Sequence, residues 1–209
     1  MIVKEKIVGG AGELIMQYGI RTVTMDDIAK HLSMSKKTIY QYFKDKEELV
    51  NAITKVHLDV EGDRFNSVTE LSENSVHELI LVSSCLRESM QEMKINIMHE
   101  LQKFYPTAWN LYTEFKENVM LKSIQKVIER GQREGFFRKE IDSELIALMR
   151  VEQVQTFFMK NIYSRDKYSL AELQLQLFDH FIHGLFTIDG HKLFNQYITT
   201  NTQKNGTQN

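Results

Sequence analysis

Apolar side chains recur along this chain at the spacing of helices. Ile7, Val8, Ala11, Leu14, Ile15 and Tyr18 fall three and four apart on one face of a first helix, and Gly19 closes it as a C-cap glycine does. Thr24 precedes Met25-Asp26-Asp27 and the apolar pair Ile28 and Leu32. That pattern predicts a second helix with Thr24 at its N-cap and Asp27 at its third position, a capping box with Asp in place of the usual Glu. Leu32-Ser33-Met34-Ser35 interrupts the period. Ser35 then caps a short third helix, Lys36 to Phe43, whose inner side is Ile39 and Phe43. Asp45 caps a fourth helix that opens Lys46-Glu47-Glu48, acids placed where the helix N-terminus favours them. Helix, tight turn and short basic helix together make helix-turn-helix grammar.

The remaining sequence keeps the helical period. Helices are predicted at about 46–63, 74–95, 96–103, 106–131, 142–163, 169–188 and 191–199. Pro106 suits the first turn of its helix, where a missing N–H costs nothing, and Gly131 and Gly135 mark that helix's end and the turn after it. Asp142 or Ser143 caps the next. No alternation of strand type with turn chemistry appears, so the fold class is all-α. Residues 1–46 form a three-helix helix-turn-helix domain and 47–199 a larger helical domain. The polar segment 200–209 lacks apolar anchors and is expected to be disordered.

Composition narrows the class. The chain has 209 residues, 42% hydrophobic and 26% charged, the balance of an ordinary globular protein with enough length for a real core. Its single proline fits long helices. No apolar run reaches membrane-spanning length and the first ten residues hold no signal-peptide core, so a cytoplasmic protein without membrane contact is expected. Cys85 stands alone, which excludes an intrachain disulfide and a four-cysteine zinc site. Net charge is -2, yet residues 28–44 hold Lys30, Lys36, Lys37 and Lys44 and no acid. A small basic face on an acidic body suits contact with DNA through a limited surface.

Several residues together carry a likeness to a known family. They are Ile7-Val8 with Gly10 and Ala11, Tyr18-Gly19, Val23-Thr24-Met25 before Ile28-Ala29, and Met34-Ser35-Lys36. Thr38-Ile39-Tyr40-Gln41-Tyr42-Phe43 follows, then Lys44-Asp45-Lys46-Glu47-Glu48-Leu49. The segment from Ile7 to Leu49 resembles the N-terminal DNA-binding domain of the TetR family of bacterial transcriptional regulators. Beyond it the chain resembles the family in length and all-helical character. There are two departures. Ser33 stands where the family usually has glycine, in a turn that needs left-handed backbone, at a cost of about 1 kcal/mol. Lys37 replaces a residue that is often small, adding charge near DNA.

The resemblance implies roles. Lys36, Lys37, Thr38 and Gln41 would approach bases or adjacent phosphates in the major groove, where Gln and Lys read base edges. Tyr40 and Tyr42 would donate hydroxyls to the backbone. Thr24 would cap its helix and sit near a phosphate, and Lys46 would direct charge and free N–H groups at another. One such unit covers too little DNA for selective binding, so a homodimer on a palindromic operator is expected. Residues 142–163 and 169–188 each carry a broad apolar band, and the family pairs these two helices. Val154, Phe157, Phe158, Leu173, Leu177, Phe181 and Leu185 are the expected interface, although such bands also suit helices buried on several sides in one subunit.

Under the family plan the helices from 46 to 131 enclose a small-molecule effector. Met90, Tyr105, Trp109, Tyr112 and Phe115 are the expected lining, residues that equally fill a core. The expected function is therefore a homodimeric DNA-binding regulator, a repressor, responsive to an apolar or amphipathic ligand. The alternative is a regulator controlled by a partner protein or acting constitutively. No nucleophile elbow, phosphate-binding loop, dinucleotide fingerprint or zinc-protease motif occurs, so no catalytic residues and no cofactor are expected. His57, His77 and His99 are dispersed. His180 and His183, near Asp179, suit an interface pair better than a metal, and no metal is expected.

Overall fold

The computed structural model describes residues 2–92, 96–159 and 169–206. Three helices lead the chain: α1 (Val3–Tyr18), α2 (Met25–His31) and α3 (Lys36–Tyr40). Then come α4 (Lys46–Leu71), α5 (Ser75–Glu92), α6 (Asn96–Phe104) and α7 (Pro106–Phe115). A π-helical turn over Lys116–Met120 joins α7 to α8 (Leu121–Glu134), and α9 (Ser143–Met159), α10 (Leu170–Leu185) and α11 (Ile188–Gly206) complete the chain. Among the described residues there is no strand, only an isolated antiparallel bridge between Phe137 and Phe186. The fold is all-α, an N-terminal helix-turn-helix unit followed by a helical body.

Local chemistry accounts for the starts. Thr24, Ser35, Asp45 and Ser169 each accept a hydrogen bond from the backbone N–H three residues on, and Pro106 opens α7. The third helix stops at Tyr40, short of Phe43, and larger differences from the periodicity follow. α4 runs to Leu71, well past 63, and its last turns pack on α5, which the apolar spacing near its start does not reveal. The long helix from Pro106 continues to Glu134 but contains the π-turn, which rotates the faces on either side of it relative to one another. The segment expected to be disordered from 200 is helical as far as Gly206, where α11 simply propagates.

Two apolar clusters hold the chain. The first joins α1, α2, α3 and the start of α4 through Ile7, Ala11, Ile28, Ile39, Phe43 and Leu49, and it also takes in Ile97, Met98 and Leu101 of α6 and Ala108 of α7. It therefore crosses the boundary drawn at 46. The second joins α5, α8, α9 and α10 around Val76, Ile128, Phe137, Ala147, Phe178 and Ile182. Phe137 is wholly buried, and its ring lies against Gly131 of α8, where an added Cβ would meet ring atoms at 2.2 to 2.5 Å. Gly131 is thus a contact site within the helix, and the helix ends at Gly135 with a left-handed φ of 82°.

Gly131→Ala is expected to destabilise the protein by about 1–3 kcal/mol, because the buried ring has nowhere to go, despite the gain in helix propensity. Gly9→Ala, in open space on α1, is expected to stabilise by about 1 kcal/mol. Urea unfolding of both variants checks the contrast.

Candidate nucleic-acid interface

The presentation of α3 begins with what it buries. Ile39 and Phe43 are 0% and 1% exposed, and the Lys4 ammonium lies 5.5 Å from the centre of the Phe43 ring. With that side fixed inward, Lys36, Lys37, Tyr40, Gln41, Tyr42 and Lys44 are all exposed. The turn that aims α3 contains Ser33 at φ 52°, the left-handed geometry anticipated for that position. Met34 closes the turn, its N–H donating to the Ala29 carbonyl at 2.9 Å.

Each expected DNA-contacting residue has a distinct local state. Thr24 donates its hydroxyl and its backbone N–H to the Asp27 carboxylate at 2.6 and 2.9 Å, and its hydroxyl oxygen accepts from the Asp27 N–H at 3.2 Å. Those bonds from Thr24 hold the Asp27 carboxyl below the usual carboxylate range. Lys36 is paired with Asp26 at 2.5 Å, both half exposed, and that contact raises the lysine's pKa. Lys37 and Gln41 point outward. Thr38 is half buried, its N–H donating to the Ser35 hydroxyl oxygen at 3.0 Å and its own hydroxyl bonded to Ser35 at 2.9 Å. Tyr40 and Tyr42 are 48% and 37% exposed.

Lys46 differs from the sequence expectation. Its ammonium donates to the Ile20 carbonyl in the turn after α1, and burial lowers its pKa against the opposing pull of Glu100 and Asp27. Its charge is directed into the subunit, while the start of α4 is capped by Asp45, which accepts from the Glu48 N–H at 2.8 Å.

This arrangement can be set beside known proteins. Residues 7–53 match the family model of bacterial regulatory proteins of the tetR family. Over that segment the chain matches the family's N-terminal DNA-binding domain. The relative YhgD of Bacillus subtilis strain 168, named an uncharacterized HTH-type transcriptional regulator, is 29% identical over 152 residues, 71% of this chain and 78% of its own. YvkB of the same strain, similarly named, is 27% identical over 118 residues, 55% of this chain, and the match spans only 60% of YvkB's length. The solved structure of the ketosteroid transcriptional regulator KstR2 of Mycobacterium tuberculosis superposes with a TM-score of 0.59 at 16% identity, covering 89% of this chain and 96% of KstR2. In sequence KstR2, named a repressor, is 23% identical over 139 residues. The likeness to its structure is one of fold.

The helix-turn-helix unit is tied to the helical body by residues that periodicity did not single out. Glu100 on α6 accepts from the Arg21 N–H at 3.0 Å, and the Arg21 guanidinium lies 4.8 Å from the centre of the Phe104 ring. Asp26, which holds Lys36, was likewise outside the expected set. A polar residue exposed on a helix gives no sequence signal of its partner.

The expected effector residues separate. Tyr105, Trp109 and Tyr112 pack partly buried against the first cluster, with the Trp109 and Tyr112 rings 5.2 Å apart. Burial, assisted by Glu152, pushes the Tyr112 phenol up to about 12. Phe115 pairs instead with Phe65 of α4 at 6.4 Å. The side chain of Met90 lies outside the described residues. Among the expected interface residues, Phe157 and Phe158 are also outside, Leu173, Leu177 and Phe181 are partly buried, and Val154 packs on the first cluster. Leu185 is 1% exposed, inside the second cluster. Among the described side chains of α9, the large apolar ones that are exposed are Leu145, Leu148 and Met149. A band apolar all round cannot say which side faces out.

His183 pairs with His191 of α11, their Nδ1 atoms 3.3 Å apart, and not with exposed His180. The described residues contain no group of three potential metal ligands, and none of their helices is long and apolar enough to cross a membrane.

Thr24→Ala is expected to cost about 1 kcal/mol of stability at neutral pH, with Thr24→Ser retaining most of it. Because the Asp27 carboxyl titrates low in the folded state, its contribution is present above the ordinary carboxylate range and is lost as pH falls through the lowered value. The gap between the wild type and Thr24→Ala should therefore narrow in acid, as urea titrations at several pH values would reveal.

Proposed function

We propose that this protein is a homodimeric, sequence-specific DNA-binding transcriptional regulator, a repressor whose hold on a palindromic operator changes when a small apolar or amphipathic effector binds in the helical body. The observation that carries the reading is α3, a short basic helix anchored by Ile39 and Phe43 that turns Lys37, Tyr40, Gln41 and Tyr42 outward. A helix of this kind enters the major groove, with Gln41 and Lys37 at base edges and the tyrosine hydroxyls at phosphates. Lys36 joins them by exchanging Asp26 for a phosphate. The name of KstR2, a repressor, supports the direction of regulation.

Dimerisation is proposed to use the exposed face of α9. Leu145, Leu148 and Met149 are 53%, 46% and 58% exposed, and Leu148 and Met149 lie three and four residues beyond Leu145, so they form one apolar stripe. Leu173, Leu177 and Phe181 on α10 retain some exposure and extend the expected surface. Regulation is proposed to pass through α6, whose Glu100 and Phe104 hold Arg21 while Ile97, Met98 and Leu101 share the core of the DNA-binding unit. An effector that shifts α6 then shifts α1 with it, and the coupling of DNA to effector is reciprocal.

Selection of bound fragments from genomic DNA with the purified protein, at about 0.15 M salt to suppress backbone attraction, is expected to enrich a palindrome with half-sites spaced by whole helical turns. Gln41→Ala should relax base preference while leaving affinity for random duplexes nearly unchanged. Equal losses on specific and random DNA would overturn the base-reading role. Leu148→Glu, on the exposed stripe, should sediment as a folded 24.5 kDa monomer where the wild type sediments as a dimer. A wild-type monomer at micromolar concentration would defeat the dimer proposal.

A further inference from the structure

α9 runs through both apolar clusters: Ala147 belongs to the second, and Val154 packs against the first. Between them, one turn from each, lies Arg150. It is 4% exposed. Among the described residues its guanidinium donates one hydrogen bond, to the Gln153 side-chain oxygen at 2.8 Å, and lies 5.4 and 5.5 Å from the ring centres of Phe178 and Phe181 on α10. No carboxylate of the described residues pairs with it. Burial pushes its pKa down to about 10, which leaves it charged at neutral pH.

A buried cation with no counter-charge destabilises a fold, and replacing it with an apolar residue of similar size is often favourable. The two rings offset part of the loss by cation–π attraction. Those rings, however, offer the guanidinium N–H groups no oxygen or nitrogen acceptor. Among the described residues, five donors stand against one acceptor. The neighbouring buried polar group, Gln174 at 1% exposure, is a weak partner itself, its amide reaching the Val154 carbonyl at 3.4 Å. The level between the clusters is therefore donor-rich and short of negative charge. The partly buried Arg130 is built differently, being met by both Glu78 and Glu134.

We propose that Arg150 is the anchor of the effector site and that the effector is a carboxylate carrying an apolar body, its oxygens taking the in-plane donors and its body lying among the flanking aromatic and aliphatic side chains. The proposal rests on the reading of the helical body as an effector-binding unit, and it names the chemical class of that effector. A carboxylate matches the guanidinium fork in shape and charge, which a hydroxyl or an amine does not.

The test uses the full-length protein and three probes of equal chain length: decanoate, 1-decanol and decyltrimethylammonium, each below its micelle concentration, followed by calorimetry. The expected result is that decanoate binds at least about ten-fold more tightly than decanol, with the ammonium weakest. Arg150→Met should erase that preference, bringing decanoate to within about two-fold of decanol, while its melting temperature stays equal to or above that of the wild type. Arg150→Lys should retain an intermediate preference, a second variant should the first fold poorly. Wild-type protein that binds decanoate and decanol equally would overturn the anchor while leaving effector binding intact. Binding of none of the three would overturn the reading of the body as an amphiphile-binding unit. A preference that survives in Arg150→Met, or a lowered melting point with unchanged preference, would make Arg150 structural and end the proposal.

Discussion

A five-residue helix cannot stand by itself. Isolated helices shorter than about 12–15 residues are marginal in water, and α3 is far below that limit. What holds it is the burial of Ile39 and Phe43, each side chain contributing roughly 1.5–3 kcal/mol by removal from water, together with the Ser35 cap. The outward residues owe their fixed geometry to those inward ones. Ser33 belongs to the same economy: the turn keeps a non-glycine residue in left-handed geometry because the packing on either side leaves it no other path.

The core that anchors α3 does not belong to the first three helices alone. Ile97, Met98 and Leu101 complete it from α6, and α4 begins at Lys46 within it and extends into the helical body. The N-terminal unit and the helical body are therefore one packed object at their junction. Glu100 and Arg21 add a directional contact to the apolar one, and Lys46, turned inward to the Ile20 carbonyl, fastens the same corner. A residue that would serve as a phosphate contact on an isolated helix-turn-helix unit is here part of the joint.

Legibility in the sequence followed the range of the interaction. Thr24 with Asp27, Ser35 and Asp45 were readable as caps because donor and acceptor lie three residues apart. Ile39 and Phe43 were readable as the buried side of α3 because helical spacing places them together. The left-handed position of Ser33 came from the family pattern. Hidden features depend on partners distant in sequence. The inward turn of Lys46, the α6 contact with Arg21 and the burial of Leu185 all involve other elements. α9 is apolar on nearly every side, so its pattern could not separate the exposed Leu145, Leu148 and Met149 from the inward Ala147, Val151 and Val154. The π-turn has no composition that marks it, and Arg150 reads in sequence as one more charged residue on a helix.

The length of α4 has a mechanical consequence. At 26 residues it is about 39 Å long, rooted at one end among α1 and α3 and reaching past α7 to α5 at the other. As a stiff rod it converts angle into distance: a tilt of only about 5° about its far end carries the near end through about 3 Å, close to the 3.4 Å rise of one base pair. A rearrangement in the body small enough to leave every helix intact is therefore large enough to carry the outward residues of α3 through about the rise of one base pair, which is the scale the proposed regulation requires.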